Sequence, residues 1–89
     1  MKAARVLYEG YVQGVGFRWT TKRLAQGYDV SGWVRNLPDG RVELQVSGEE
    51  DEVSAFLRAI RESTLGGHIG AEHATEIEIP NPFKGFRII

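Results

Sequence analysis

Val30-Ser31-Gly32-Trp33-Val34-Arg35-Asn36-Leu37-Pro38-Asp39-Gly40-Arg41-Val42-Glu43-Leu44-Gln45-Val46-Ser47 is the stretch on which the fold turns. Its middle, Leu37-Pro38-Asp39-Gly40, has turn chemistry. Proline presets φ, aspartate hydrogen-bonds nearby backbone, and glycine tolerates positive φ. After the turn, Arg41 to Ser47 alternates polar and apolar residues, the period of a strand. Before it, Val30 to Asn36 reads as another strand, so residues 30–47 are predicted to form a hairpin that Gly48 ends.

Upstream, a helical pattern runs from Trp19 to about Gln26, with Leu24, Ala25 and Tyr28 on one side. Gly27 fits a left-handed helix stop. Gln13-Gly14-Val15-Gly16-Phe17-Arg18 precedes it as a loop with two glycines. Residues 4–12 read as a first strand, Val6, Tyr8 and Val12 on one face and Arg5 and Glu9 on the other. Downstream, Glu49-Glu50-Asp51-Glu52 leads into Val53, Phe56, Leu57 and Ile60, one face of a helix. The acidic run suits the positive end of that helix's dipole. Ser63 to Gly70 reads as a loop, and Glu72 to Ile79 as a strand with Ile77 and Ile79 inward and Glu76 and Glu78 outward. Pro80 and Pro82 break it, and Phe83, Phe86 and Ile88 form a closing edge segment. The order β-α-β-β-α-β is the α+β, ferredoxin-like arrangement: an antiparallel sheet with two helices on one face, a single domain over residues 1–89.

Composition narrows the function. With 42% apolar and 26% charged residues, the 89-residue chain is an ordinary globular domain rather than a disordered one. The absence of cysteine excludes a disulfide framework, a thiol nucleophile and thiolate metal sites. Eleven basic residues against twelve acidic ones do not suit a nucleic-acid partner. No apolar run approaches the roughly 18 residues of a membrane helix. No apolar segment follows Met1-Lys2-Ala3-Ala4-Arg5, so no secretory signal is expected, and a cytoplasmic monomer is. His68 and His73, five apart, match no ligand pair and read as exposed residues. Trp33 and Tyr11 read as packing residues, Arg35 as a surface residue.

The topology suggests where chemistry sits. Strands 1 and 2 of this fold run parallel, with strand 3 between them, so their carboxyl ends share one edge. The loop 13–18 follows the first and Asn36 ends the second. Two strand spacings, roughly 9–10 Å, separate them, and a side chain as long as Arg18 shortens the gap. Gly14 and Gly16 allow a tight turn with exposed amides. The helix start adds partial positive charge, and Arg18 a planar cationic fork. Together these parts form an oxyanion cradle for a small phosphate or carboxylate.

Gly10-Tyr11-Val12-Gln13-Gly14-Val15-Gly16-Phe17-Arg18 resembles the signature loop of the acylphosphatase family. Gly32-Trp33-Val34-Arg35-Asn36-Leu37-Pro38-Asp39-Gly40-Arg41-Val42, with Gly48 beyond, resembles the family's second signature, and Phe83-Lys84-Gly85-Phe86-Arg87-Ile88 its closing segment. The likeness covers nearly the whole chain. Tyr8 stands where the family prefers an aliphatic residue, and Leu65-Gly66-Gly67-His68 lacks its usual prolines. The resemblance implies hydrolysis of small acyl phosphates to a carboxylate and inorganic phosphate, the latter a product and inhibitor. It implies phosphate held by Arg18 and by backbone amides of Gln13, Gly14, Val15, Gly16 and Phe17, and water oriented by Asn36. No metal or other cofactor is implied.

Such a site needs no general acid, because a carboxylate leaving group has a conjugate acid of pKa about 4–5. Phosphoryl transfer has a loose transition state, so positioning and fixed donors carry the catalysis. Asparagine aligns water but cannot take its proton; the bound phosphate is a candidate acceptor. Two other functions compete. An RNA-binding domain on this fold would want stacking aromatics on its central strands, and Arg41 to Ser47 has none. A module of a larger carbamoyl-transfer maturation protein would have further domains, whereas this chain reads as a free-standing enzyme. A site that grips phosphate and ignores the acyl group would leave no specificity code in the sequence.

Overall fold

The computed structural model describes residues 1–80 and 82–89. The hairpin forms as its pattern requires. Strand β2 (Val30–Asn36) pairs antiparallel with β3 (Val42–Gly48), Val30 opposite Gly48 and Asn36 opposite Val42. Asp39 closes the turn, its Oδ1 accepting from the Arg41 amide at 3.0 Å, and Gly40 takes a φ of 94°. Strand β1 (Lys2–Gly10) lies on the other side of β3, antiparallel to it. Strand β4 (Ile69–Ile77) pairs antiparallel with β1, and β5 (Phe86–Ile88) pairs with β2. The sheet order is β4-β1-β3-β2-β5.

Helices α1 (Phe17–Ala25) and α2 (Glu50–Glu62) cover one face. Their buried residues, Phe17, Ala25, Val53, Phe56 and Ile60, form one core with Ala4, Val6, Tyr8, Val34, Val42, Leu44 and Val46 of the sheet. Burying even one such side chain contributes about 1.5–3 kcal/mol, so this shared core supplies most of the fold's stabilisation. None of the helices among the described residues is long and apolar enough to cross a membrane.

Several expectations shift. The sheet is mixed rather than antiparallel, because β5 runs parallel to β2. Strand β1 ends at Gly10 rather than residue 12, where a φ of 123° takes the chain out of the ladder. Helix α1 starts two residues earlier than Trp19 because Gly16 is its N-cap. It ends without a left-handed glycine: the amides of Gln26, Gly27 and Tyr28 bond to the carbonyls of Arg23, Leu24 and Ala25, a tightened last turn. Strand β4 starts at Ile69 and stops at Ile77, because its ladder with β1, not its own composition, sets its length. A 3₁₀ turn (Thr64–His68) precedes it, with the Ser63 hydroxyl accepting from the Leu65 amide at 3.1 Å and Leu65 buried. Tyr11 does not pack; it is 85% exposed.

Candidate active site

The loop after β1 returns toward β2 through two left-handed glycines, Gly14 at φ 80° and Gly16 at φ 75°. That backbone disfavours any residue with a Cβ. Phe17 then drops into the core, 2% exposed, against Tyr8 with ring centroids 4.9 Å apart. The aromatic pair anchors the loop's exit. Its entry is tied down by Gln13, whose side-chain amide donates to the carbonyls of Leu37 (2.8 Å) and Arg41 (2.9 Å). The loop is therefore fastened to the β2–β3 turn, which follows directly on Asn36 at the end of β2.

Because Phe17 points inward, Arg18 points out, and it is exposed in the first turn of α1. Gly16 offers no side-chain cap, and no acidic residue lies in that turn. The first amides of α1 thus lack intrahelical acceptors and keep their partial positive charge. Asn36 follows Val34 by two residues at the end of β2 and so shares its helix-side face, while Arg35 is directed to the opposite face. There Arg35 donates to the buried Glu43 carboxylate at 2.6 Å, and Arg5 pairs with the same carboxylate. Among the described residues, ion pairs engage Arg5, Arg35, Arg41, Arg61 and His73, and none engages Arg18.

These features meet in an open cleft of about 220 Å³ lined by Val12, Gly14, Gly16, Phe17, Arg18, Trp19, Asn36 and Ile88. Five of the seven residues singled out in the sequence line it. Gln13 and Val15 do not: Gln13 braces the loop, and Val15 packs against the core. Trp19 and Ile88 were not anticipated. A comparable hollow of about 270 Å³ at the other end of the sheet mixes its charges, Asp29 and Glu49 with Lys84, and holds neither Arg18 nor the glycine loop.

An acylphosphatase family model matches residues 4–88. The chain belongs to the acylphosphatase family. It is an enzyme that hydrolyses acyl phosphates, and its substrate is a small molecule. It is 38% identical over 88 residues to an acylphosphatase of Chlorobaculum tepidum, an alignment covering 99% of this chain and 96% of that one. Its fold is similar to the crystal structure of acylphosphatase from Bacillus subtilis, with TM-score 0.90, 31% identity, and 100% and 99% of the two chains covered. It also resembles a stretch of full-length HypF in a phosphate- and nucleotide-bound form, with TM-score 0.85 and 32% identity, covering 99% of this chain but 12% of that one. The family's ferredoxin-like sheet with two helices explains why the cleft forms where it does. The split βαβ order brings the end of β1 and the end of β2 to one edge.

Proposed function

We propose that Arg18 and the backbone amides of the loop from Gln13 to Phe17 hold the phosphoryl group, while Asn36 orients the attacking water. The water oxygen bonds to phosphorus, the phosphorus–oxygen bond to the acyl group breaks, and the carboxylate leaves with the electron pair. The water's proton ends on the released inorganic phosphate, so an acyl phosphate dianion and water become a carboxylate and dihydrogen phosphate. No metal takes part. Loose phosphoryl transfer with a good leaving group asks for positioned donors rather than an acid or base. The observation that carries the reading is the single cleft that joins Arg18, in no ion pair among the described residues, to the glycine loop and Asn36. Residues 1–89 act as one domain, a cytoplasmic monomer that inorganic phosphate inhibits competitively.

The test is hydrolysis of benzoyl phosphate followed by ultraviolet absorbance, with and without a chelator, beside Asn36→Ala. Turnover that ignores the chelator and falls about 10²-fold or more in the variant, with phosphate binding kept, is the expected result. Chelator-sensitive turnover would remove the metal-free mechanism. Loss of phosphate binding in Asn36→Ala would overturn the division of roles.

A further inference from the structure

The phosphate half of the cleft is described above; its remaining lining is apolar. Trp19 is 61% exposed and Ile88 is 38% exposed, and both lie in the same cleft as Arg18 and Asn36. A large indole left in water on a helix surface gains nothing for the fold, whereas at the rim of a binding cleft it offers area to a ligand. Two contacts hold these side chains in place beforehand. The Arg23 guanidinium, one helical turn after Trp19, stacks over the indole 5.4 Å from its centroid. Ile88 is fixed by the parallel ladder of β5 on β2, in which it pairs with Val34 and the Ile89 amide donates to the Val34 carbonyl at 3.0 Å. Ordering a side chain in advance lowers the entropy lost on binding.

We infer that Trp19 and Ile88 form an acyl subsite that selects uncharged, flat, apolar acyl groups, aromatic ones above all. The inference rests on the phosphate reading of the same cleft. A phosphoryl group on Arg18 and the loop puts its acyl group, joined through one bridging oxygen, within reach of this apolar lining. Arg18 is the one charged residue among the described lining residues, and the phosphoryl group occupies it. An acyl group bearing a carboxylate or a second phosphate meets no second cation among the residues that line the cleft, while a benzoyl ring meets the indole and the isoleucine. On this inference the cleft does not ignore the acyl group.

The experiment compares kcat/KM for benzoyl phosphate and acetyl phosphate in the wild type, Trp19→Ala, Trp19→Phe and Ile88→Ala. The ratio within one preparation does not depend on the folded fraction, and comparing variants cancels the intrinsic difference between the substrates. Trp19→Ala should lower the benzoyl-to-acetyl ratio roughly fivefold, chiefly through KM for benzoyl phosphate. Trp19→Phe should keep most of the ratio, and Ile88→Ala should lower it about twofold. An unchanged ratio in Trp19→Ala, with both substrates turned over, overturns the subsite alone. Absence of turnover of either substrate by the folded wild type overturns the hydrolytic reading of the cleft and the subsite with it.

Discussion

The two helices begin in opposite electrical surroundings. The first turn of α2 holds Glu50, Asp51 and Glu52, and the Glu52 Oε1 also accepts from the Asp29 amide at 2.7 Å. Its dipole is answered within the chain. Neither helix start has a side-chain cap, but the first turn of α1 has no acidic residue and carries Arg18. A cation at the positive end of a helix is unfavourable for that helix. The charge of one helix start is answered within the chain, and the other is left open, as the proposed phosphate site requires.

Arg18→Ala breaks the contrast most directly. It should cost about 10³-fold or more in kcat/KM for benzoyl phosphate and abolish stabilisation by inorganic phosphate. Its melting should stay within about 0.5 kcal/mol of wild type, because the lost cation is exposed and opposes the helix dipole. Arg18→Lys should recover activity in part, since an ammonium keeps the charge and lacks the bidentate fork. Steady-state kinetics and thermal melts with and without phosphate check all three. A large loss of stability without phosphate would make Arg18 a structural residue.

Gly16→Val tests the backbone share of the open helix start. A Cβ at Gly16 meets no heavy atom within 4 Å, so the damage comes from the φ of 75° alone. A β-branched residue there costs about 1–2 kcal/mol. Re-aimed amides should lower kcat/KM by about 10²-fold. Gly16→Asn should do less harm on both counts, because asparagine tolerates left-handed backbone. Equal losses in the two variants would show that bulk, not backbone shape, is what the loop excludes.

How far the site could be read in advance follows from which cues are local. The hairpin is carried by neighbouring residues, the alternation of Val42 to Val46 and the Leu37–Gly40 turn, so its strands were legible almost to the residue. The meeting of the glycine loop, Arg18 and Asn36 was legible because strand order alone brings them to one edge. The α1 start was not, since it depends on Gly16 taking a left-handed N-cap with no side-chain signal. Trp19 read as the start of a helix and Ile88 as part of a closing edge segment, and no spacing rule connects positions so far apart in the chain. Glu43 belongs to the same class. Its alternation places it on the sheet's open face, yet it is 2% exposed, because Arg5 from β1 and Arg35 from β2 close over it.

Glu43 extends the contrast to arginines. Arg5 and Arg35 are both paired with one carboxylate, and among the described residues no ion pair engages Arg18. Burial works against ionisation of Glu43, but hydrogen bonds and charge from Arg5 and Arg35 outweigh it and hold the carboxyl below its usual range. A carboxyl depressed in the folded state stabilises fully above its unfolded value of about 4.3, and that stabilisation disappears as pH falls through the lower folded value. Glu43→Gln should therefore lose about 1–2 kcal/mol at pH 7, less than a fully buried pair because both arginines are half-exposed and can rehydrate. In melts between pH 7 and pH 3 the gap between wild type and variant should close at the acid end. A gap constant with pH would show that packing, not charge, holds this cluster.

Glu52→Gln is the mildest change and isolates the dipole term at α2. Glutamine keeps the oxygen that accepts from the Asp29 amide, so the hydrogen bond survives and one negative charge is removed from the helix start. The expected loss is about 0.5 kcal/mol at low ionic strength, shrinking as salt is added. Benzoyl phosphate turnover should not change, because α2 contributes no residue to the cleft. The opposite charge step at α1, Trp19→Glu at an exposed position, would bring an anion to the open helix start and compete there with the substrate's phosphoryl group. A salt-independent loss in Glu52→Gln would mean that the acidic turn of α2 acts through its hydrogen bond geometry. The electrical difference between the two helix starts would then reduce to what Arg18 and the loop amides do at α1.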